Sequence, residues 1–216
     1  GYAKQFHIES LMGMTLKIIV PPHPLIAHWL TILRSSSTPE ALYALGLEQL
    51  GKWLTYEAIR DWLPYRKEEV ETSNGKTEGT IIESRVPLLA IPNLPAGLQL
   101  WQGARDLLPN ANLCLGGIPK KIIRNAGVIL YIDEISTGEN LIKEISLLKE
   151  QQIDSQRIKI ITTLACSTGL KNIGESFGDL TIYSACIDPD LNDKGEISPG
   201  IGNPAKRINT RITTSN

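Results

Sequence analysis

The sequence predicts an α/β fold in which a mostly parallel sheet is covered by helices on both faces. From residue 86 onward, short apolar runs alternate with segments of helical periodicity, as expected when strands and helices alternate along a chain. These runs are apolar at nearly every position, which is typical of strands buried on both faces of a parallel sheet. N-terminal helices and a β-arm complete the predicted architecture.

The elements can be assigned in chain order. Residues 16–20 form an apolar run that predicts a short strand, and Pro24 fits the first turn of a helix. Residues 37–40 supply cap residues, a proline and an early acid for a second helix that extends to about residue 63. The polar interval 65–85 is predicted to form the β-arm, with a hairpin turn at Asn74-Gly75. Further strands are predicted at residues 86–91, 112–115, 128–132, 157–164 and 180–187, and further helices at 98–108, 140–149 and 168–177.

The composition bounds the class of protein. A chain of 216 residues fits one domain with a substantial core, with residues 1–20 as an N-terminal extension and residues 188–216 as a loop and tail. The net charge of −1 does not point to nucleic acid or an anionic membrane as a partner. No apolar run approaches the ~20 residues that span a bilayer, so a soluble protein is expected. Cys114, Cys166 and Cys186 lie in apolar contexts and predict free thiols in a reducing compartment.

The joint between the apolar run 128–132 and the helical segment 140–149 is the most informative stretch. The run leads directly into the acidic pair Asp133 and Glu134, and a Ser-Thr-Gly turn follows at residues 136–138. In an open α/β sheet such a loop lies where ligands bind, and amides at a helix start can receive a phosphate. The acidic pair could hold Mg²⁺ or contact ribose hydroxyls. A plain strand-to-helix connection is the alternative.

A long segment rich in Gly and Pro, residues 188–204, follows the last predicted strand. A loop in that place lies at the ligand edge of the sheet, so a function is expected there. An irregular terminal loop is the alternative.

Several segments, in order and over nearly the whole chain, resemble the uracil phosphoribosyltransferases. The segment from Asp179 to Arg207, with Ile-Ser-Pro-Gly-Ile-Gly-Asn at residues 197–203, is similar to the family's C-terminal signature. Residues 20–28 and 56–61 resemble its opening helices in the form seen in cyanobacterial and plastid members. The resemblance implies a phosphoribosyltransferase-type fold, usually dimeric. It also implies the glycosyltransferase reaction of pyrimidine salvage, in which uracil and phosphoribosyl diphosphate give uridine monophosphate and pyrophosphate.

The resemblance also implies site residues. Main-chain groups are expected to hold uracil at Ile197, Pro199, Gly200 and Gly202. Two loops are expected to hold phosphoribosyl diphosphate, and their residues are Ala96, Gly97, Asp133, Glu134, Ser136, Thr137 and Gly138. No cofactor is expected apart from Mg²⁺ if the protein is active, and no residue is assigned as a metal ligand.

Three substitutions depart from the family pattern on the phosphate side. Pro95 stands where the family has an Arg, and Pro supplies neither the charge nor an N–H. The diphosphate loop is one residue shorter, and Glu139 follows its glycine. A carboxylate about 5 Å from a phosphate charge costs roughly 3 kcal/mol at an effective dielectric of 20. Asn203 replaces an Asp near the metal and the diphosphate, which weakens the organisation of Mg²⁺.

A fourth departure concerns the family's flexible hood, which is cut to residues 116–126. Its loss would remove a lid that excludes water from the reacting sugar. Lys120, Lys121 and Arg124 in this segment are either a compensating basic patch or part of a solvated loop.

These departures predict that most or all catalysis has been lost and that the protein acts as a binding or structural subunit, as a homodimer or in a larger assembly. Trp53, Trp62 or Trp101 could supply protein contacts, although core packing is their default explanation. Two alternatives stay open: an active, Mg²⁺-dependent uracil phosphoribosyltransferase, and a sensor that binds uracil or uridine monophosphate without turnover. The expected location is the cytoplasm or the plastid stroma.

Overall fold

The computed structural model describes residues 4–9 and 15–208. Parts of the predicted N-terminal extension and tail, namely residues 1–3, 10–14 and 209–216, lie outside the described residues. The elements in chain order are β1 (Lys4–Glu9), β2 (Thr15–Val20), α1 (Pro24–Arg34), α2 (Glu40–Ala58), β3 (Tyr65–Thr72), β4 (Gly75–Ile82), β5 (Leu88–Pro92), α3 (Ala96–Ala104), β6 (Asn112–Leu113), β7 (Gly127–Ile132), α4 (Glu139–Glu150), β8 (Ile158–Cys166), α5 (Ser167–Ser176), β9 (Thr181–Asp188), β10 (Asp190–Leu191), β11 (Ile197–Ser198) and α6 (Pro204–Arg207).

Seven strands form the main sheet, in the order β1-β2-β9-β8-β7-β5-β6. Strand β1 is antiparallel to β2, and the other neighbours are parallel. All six residues of β7, at the centre of the parallel part, are buried, as expected for a strand covered on both faces. The predicted α/β fold with a mostly parallel sheet is confirmed.

Helices cover both faces of this sheet. Successive side chains of a strand point to opposite faces, and β7 shows this directly. Val128 and Leu130 pack in the core that α4 and α5 complete, whereas Ile129 and Tyr131 pack in the core beneath α1, α2 and α3. The cavity described below lies where this central strand ends.

The β-arm is an antiparallel hairpin of β3 and β4, with a register from Tyr65↔Ile82 to Thr72↔Gly75. Its turn is closed by Thr72, whose hydroxyl donates to the Gly75 carbonyl at 3.0 Å and accepts from the Asn74 amide at 3.2 Å. Most residues of both strands are exposed. The predicted arm and its Asn-Gly turn are therefore present.

Several elements differ from the sequence prediction, and for two of them the structure shows why. Strand β1 was not predicted, because its exposed, mixed sequence forms a strand only by pairing with β2. Helix α2 ends at Ala58 rather than near residue 63. The apolar spacing continues past the helix because Trp62 packs against the same core from a turn, with its Nε1 donating to the Gln156 carbonyl at 2.8 Å.

Core packing accounts for the other two tryptophans that were considered for protein contacts. Trp101 is 4% exposed and meets the Tyr131 ring edge-on, with the centroids 5.7 Å apart. Trp53 is partly buried, and its Nε1 donates to Gln49 Oε1 at 3.2 Å. In the described part of the chain, Cys114, Cys166 and Cys186 are free thiols, and no helix has the length and apolar character needed to cross a membrane.

Candidate functional site

A cavity of about 600 Å³ lies at the carboxyl edge of the sheet. Three separate parts of the chain enclose it: the loop after β7 with the first turns of α4, the loop after β5, and the segment that enters α6. The lining residues are Asn93, Leu94, Ile132, Asp133, Glu134, Ile135, Ser136, Thr137, Gly138, Glu139, Asn140, Leu141, Lys143, Glu144, Asn203, Pro204 and Ala205. All five residues predicted for the loop after β7 thus face one space, together with Glu139 and Asn203.

Asp133 is held by the loop after β5. Its Oδ1 accepts from Asn93 Nδ2 at 2.8 Å and from the Glu134 amide at 2.8 Å. Asn93 Oδ1 accepts in return from the Asp133 amide at 3.0 Å, and Thr163 Oγ1 donates to the Asp133 carbonyl. These bonds fix both the backbone and one carboxylate oxygen of Asp133 at the cavity wall.

The turn that leads into α4 is a compact cradle. Gly138, at its end, has φ +81°, a left-handed conformation that glycine adopts without steric cost. Asn172 Nδ2 donates to the Thr137 carbonyl at 3.0 Å. Gly169 lies so close below that a Cβ there would be 2.1 Å from the Ser136 carbonyl oxygen. The Glu139 amide donates to Thr137 Oγ1 at 3.4 Å, and the next amides of α4 have no intrahelical acceptor, so this braced turn can present donors to an anion.

The predicted residues at the start of α3 lie behind the cavity rather than in its wall. Ala96 and Gly97 are buried, and a Cβ on Gly97 would be 2.1 Å from Asn93 Oδ1 and 2.4 Å from the Tyr131 carbonyl oxygen. Gly97 therefore allows Asn93 to reach Asp133. Pro95 occupies the N-cap of α3 after a cis peptide bond, where its missing N–H leaves no helical hydrogen bond unmade.

The charge of the cavity is strongly one-sided. Its lining carries Asp133, Glu134, Glu139 and Glu144 against the single cation Lys143. Burial raises the pKa of Glu134 to about 7, and the negative charges of Asp133, Glu196 and Asp188 act in the same direction. Burial also raises the pKa of Glu144, and one of its oxygens is buried without a hydrogen-bond partner in the described residues. A polyanionic ligand therefore needs an accompanying cation here.

The raised pKa of Glu134 predicts a pH-dependent stability. The folded state binds the Glu134 proton more tightly than the unfolded chain does. The stability that this proton contributes is therefore fully present below the ordinary pKa near 4.5 and is lost as the pH rises through about 7. The free energy of unfolding of the wild type, minus that of Glu134→Gln, should fall by about 3 kcal/mol between pH 4.5 and pH 8. Both proteins are measured free of ligand and metal. Urea titrations across this range measure the difference.

Glu139→Gln is the matched control for that titration, because it removes one carboxylate from an exposed position of the same cavity. A free-energy difference between wild type and Glu134→Gln that stays constant from pH 4.5 to pH 8 would contradict a buried, proton-binding Glu134.

The residues predicted to hold uracil lie on a loop next to the cavity. Ile197 is buried in β11, Pro199 is exposed after a cis peptide bond, and Gly200 and Gly202 have φ +68° and +77°. Asn203 continues this loop into the cavity wall, where its side chain caps α6 by accepting from the Lys206 amide at 3.1 Å. The loop predicted to hold uracil (the base loop) and the cavity are therefore joined through Asn203.

The shortened hood lies apart from the cavity. Gln151, beyond the end of α4, accepts from the Ile122 amide at 2.8 Å and donates to the Pro119 carbonyl at 2.7 Å. Lys120, Lys121 and Arg124 are exposed and do not line the cavity. This arrangement favours the solvated-loop interpretation over a compensating basic patch.

Sequence reasoning did not single out several polar residues of the cavity, among them Asn93, Lys143 and Glu144. Asn93 follows an apolar strand directly, and that position was an available signal, since polar residues after core strands of such sheets meet ligands. Lys143 carries no comparable signal, because a lysine on a helix is ordinarily solvated.

The sheet and the cavity define the class: an α/β protein with a cavity at the carboxyl ends of its parallel strands, the place where such sheets bind ligands. Residues 20–210 match the family model described as uracil phosphoribosyltransferase. The uracil phosphoribosyltransferase of Nostoc sp. is 35% identical, over 91% of this chain and 99% of its own length. That of Nicotiana tabacum is 32% identical, over 92% and 96%. The chain belongs to the uracil phosphoribosyltransferase family, as the resemblance implied.

A solved structure agrees with this fold. The AQ2163 protein from Aquifex aeolicus superposes with a TM-score of 0.77 at 27% sequence identity, over 90% of this chain and 98% of its own.

The prediction that the protein has lost most or all catalysis is wrong. The relatives that match almost the whole chain are named as the enzyme, and nothing in these comparisons indicates a loss of activity. In the structure, Pro95 and Asn203 are the N-cap residues of α3 and α6, so the fold accommodates both substitutions. A dimer, a protein partner and residence in a plastid stay predictions.

Proposed function

We propose that this protein is an active uracil phosphoribosyltransferase, which transfers the phosphoribosyl group of phosphoribosyl diphosphate to uracil. The observation that carries the proposal is the meeting of three distant segments around one acidic cavity that continues through Asn203 into the Gly-rich base loop. A sugar phosphate and a planar base need such adjoining compartments. The names of the relatives supply the identity of the two substrates.

The phosphate end of the donor would lie on the turn from Ser136 to Gly138, where amides at the start of α4 receive an anion. The side chains of Asp133 and Glu134 would face the ribose and the diphosphate. Mg²⁺ is commonly held by one or two carboxylates together with substrate phosphates, and these two carboxylates fit that requirement. Within residues 4–9 and 15–208, no cluster of three or more such ligands is present, so the substrate would supply the remaining ligands.

The reaction forms a bond between N1 of uracil and C1′ of the ribose and breaks the bond from C1′ to the pyrophosphate oxygen. The N1 proton is released, and pyrophosphate leaves with both electrons of the broken bond. Mg²⁺, if held by Asp133 and Glu134 with the substrate, would supply positive charge for the leaving group. The chain contributes by positioning the two substrates, and fixed donors and charges around the reacting atoms favour the transition state.

Turnover of purified protein tests the proposal. With uracil, phosphoribosyl diphosphate and Mg²⁺, we expect uridine monophosphate and pyrophosphate to form in a one-to-one ratio, and chelation of Mg²⁺ to abolish both. Adenine in place of uracil is the control for the base. A folded protein that forms no uridine monophosphate above the protein-free rate between pH 6 and pH 9, or that binds uracil without turnover, would contradict the proposal.

The relatives also support a proposal about location. They include cyanobacterial proteins and one from Arabidopsis thaliana named chloroplastic, in line with a site of action in the cytoplasm or the plastid stroma. Fluorescence microscopy of a tagged full-length protein in its own cells tests this.

A further inference from the structure

The base loop is held from outside by an arginine far away in the sequence. Arg34, the last residue of α1, makes a forked pair with Asp188 at the end of β9. Its Nη1 donates to Oδ2 at 3.0 Å and its Nη2 donates to Oδ1 at 2.7 Å. The Asp188 side chain is only 4% exposed and the Arg34 side chain 26%, so the pair is largely removed from water. A planar guanidinium fits a carboxylate in this geometry in a way that lysine does not.

The same pair occupies both main-chain groups of Gly200. Asp188 Oδ2 accepts from the Gly200 amide at 2.8 Å, and Arg34 Nη1 donates to the Gly200 carbonyl at 3.0 Å. Gly200 could not be replaced easily in this position, because a Cβ there would be 2.3 Å from the Ile197 carbonyl oxygen. The ion pair therefore fixes the peptide planes on both sides of Gly200.

A second contact fixes the next residue. The Ile201 carbonyl accepts from Tyr43 Oη and from Arg207 Nη1, each at 3.1 Å. Arg207 lies 4.1 Å from the centroid of the Tyr43 ring and also donates to the carbonyls of Leu33, Ser35 and Thr38. The residues just after Arg34 are thereby tied to the same loop.

These contacts determine which loop groups stay available to a ligand. The amide and carbonyl of Gly200 and the carbonyl of Ile201 are already paired. The amide of Gly202, by contrast, has no hydrogen-bond partner in the part of the chain that the structure describes, and Gly202 is exposed. The Ile201 amide is also unpaired there, but Ile201 is fully buried. The Gly202 amide is therefore a donor of the kind that meets a carbonyl oxygen of a planar base.

We propose that Arg34 is a positioning residue for uracil: with Asp188 it sets the backbone of residues 199–202 so that the free amide of Gly202 meets the base. This inference rests on the proposed function. Arg34 does not line the phosphate cavity, so its loss should affect uracil and leave phosphoribosyl diphosphate largely unaffected.

The test separates positioning from mere stability. Arg34→Met alone leaves the buried Asp188 carboxylate without its partner and is expected to destabilise the fold. The double variant Arg34→Met, Asp188→Asn removes both charges and keeps an acceptor for the Gly200 amide. In the double variant we expect most of the stability to return while the KM for uracil stays raised about 10- to 100-fold, since a displacement of about 1 Å costs on that order. The KM for phosphoribosyl diphosphate should change less than about twofold.

Arg60→Met is the matched control, because Arg60 also pairs with a carboxylate but does so on the surface, where its Nη2 donates to both Glu57 oxygens at 3.0 Å. An unchanged KM for uracil in the double variant, or an equal rise in both KM values, would overturn the inference. Failure of the proposed function is recognised separately, as wild-type protein without turnover. Calorimetry with uracil then decides: weaker binding by the double variant than by the wild type supports the positioning role, and equal binding or none by the wild type overturns it.

Discussion

Replacing Gly97 with Ala is expected to lower kcat/KM for phosphoribosyl diphosphate at least about 100-fold, a loss of roughly 3 kcal/mol of transition-state stabilisation. The added methyl would lie 2.1 Å from Asn93 Oδ1 and 2.4 Å from the Tyr131 carbonyl oxygen. Something must move, and the movable partner is Asn93, which positions Asp133. Overpacking of this kind also costs about 1–3 kcal/mol of stability. Steady-state kinetics and urea unfolding measure the two effects.

Gly116→Ala is the control for this substitution. It adds the same methyl group to the exposed loop between β6 and β7, where no atom of the described residues lies within 4 Å of the new Cβ. We expect its kinetics and stability to match those of the wild type. Wild-type kinetics in Gly97→Ala would show that the loop after β5 has no role in holding the donor substrate.

Replacing Asp133 with Ala is expected to lower kcat/KM by a similar factor and to destabilise the protein by about 2 kcal/mol. The amide groups of Asn93 and Glu134 both lose their acceptor, and an unpaired buried donor costs about 1–3 kcal/mol. Asp133→Asn separates the two roles, because it keeps an acceptor oxygen and removes the charge.

The Asn variant should retain most of the stability and lose most of the activity, as measured by unfolding and by uridine monophosphate formation. If the activity of Asp133→Asn stayed within about threefold of the wild type, the side chain of Asp133 would serve only to hold the loop, and its charge would have no role in the reaction.

Local sequence signals predicted most of the fold. The apolar runs that became β7, β8 and β9 were correct to within a few residues, because a strand buried on both faces must be apolar at nearly every position. The prediction of secondary structure failed where contacts with distant parts of the chain determine the local conformation. Strand β1 forms by pairing with β2. The apolar spacing at Trp62 arises because this residue is packed in a turn, not because the helix is longer.

Only the part of the candidate site that lies within one short stretch of sequence was predictable. The turn from Asp133 to Gly138 carries its chemistry within six residues, and the structure places all of it on one cavity. Asn93 was missed, and so was the pairing of Arg34 with Asp188, which are 154 residues apart. No local pattern encodes such a pair, because the fold alone brings its members together.

The error about activity has a related origin. The charge-changing departures from the family pattern were each considered as an isolated charge beside a phosphate, and the cut hood as a missing lid. In the structure, Asn203 and Pro95 are the N-cap residues of α6 and α3. The Coulomb estimate for Glu139 applies to a fixed carboxylate, whereas this residue is exposed at the cavity mouth, where solvent screens its charge.

The contacts of Arg207 bear on the order in which a growing chain can assemble its two substrate compartments. The turn that would receive the phosphate is held by residues no later in the chain than Asn172. All of its partners have therefore been synthesised before the last core strand, β9, is complete. The loop for the base waits for Arg207, which bonds to the Leu33 carbonyl 174 residues earlier. During synthesis the turn of residues 136–138 can therefore form first, and the loop for the base closes only when Arg207 meets the segment around Leu33.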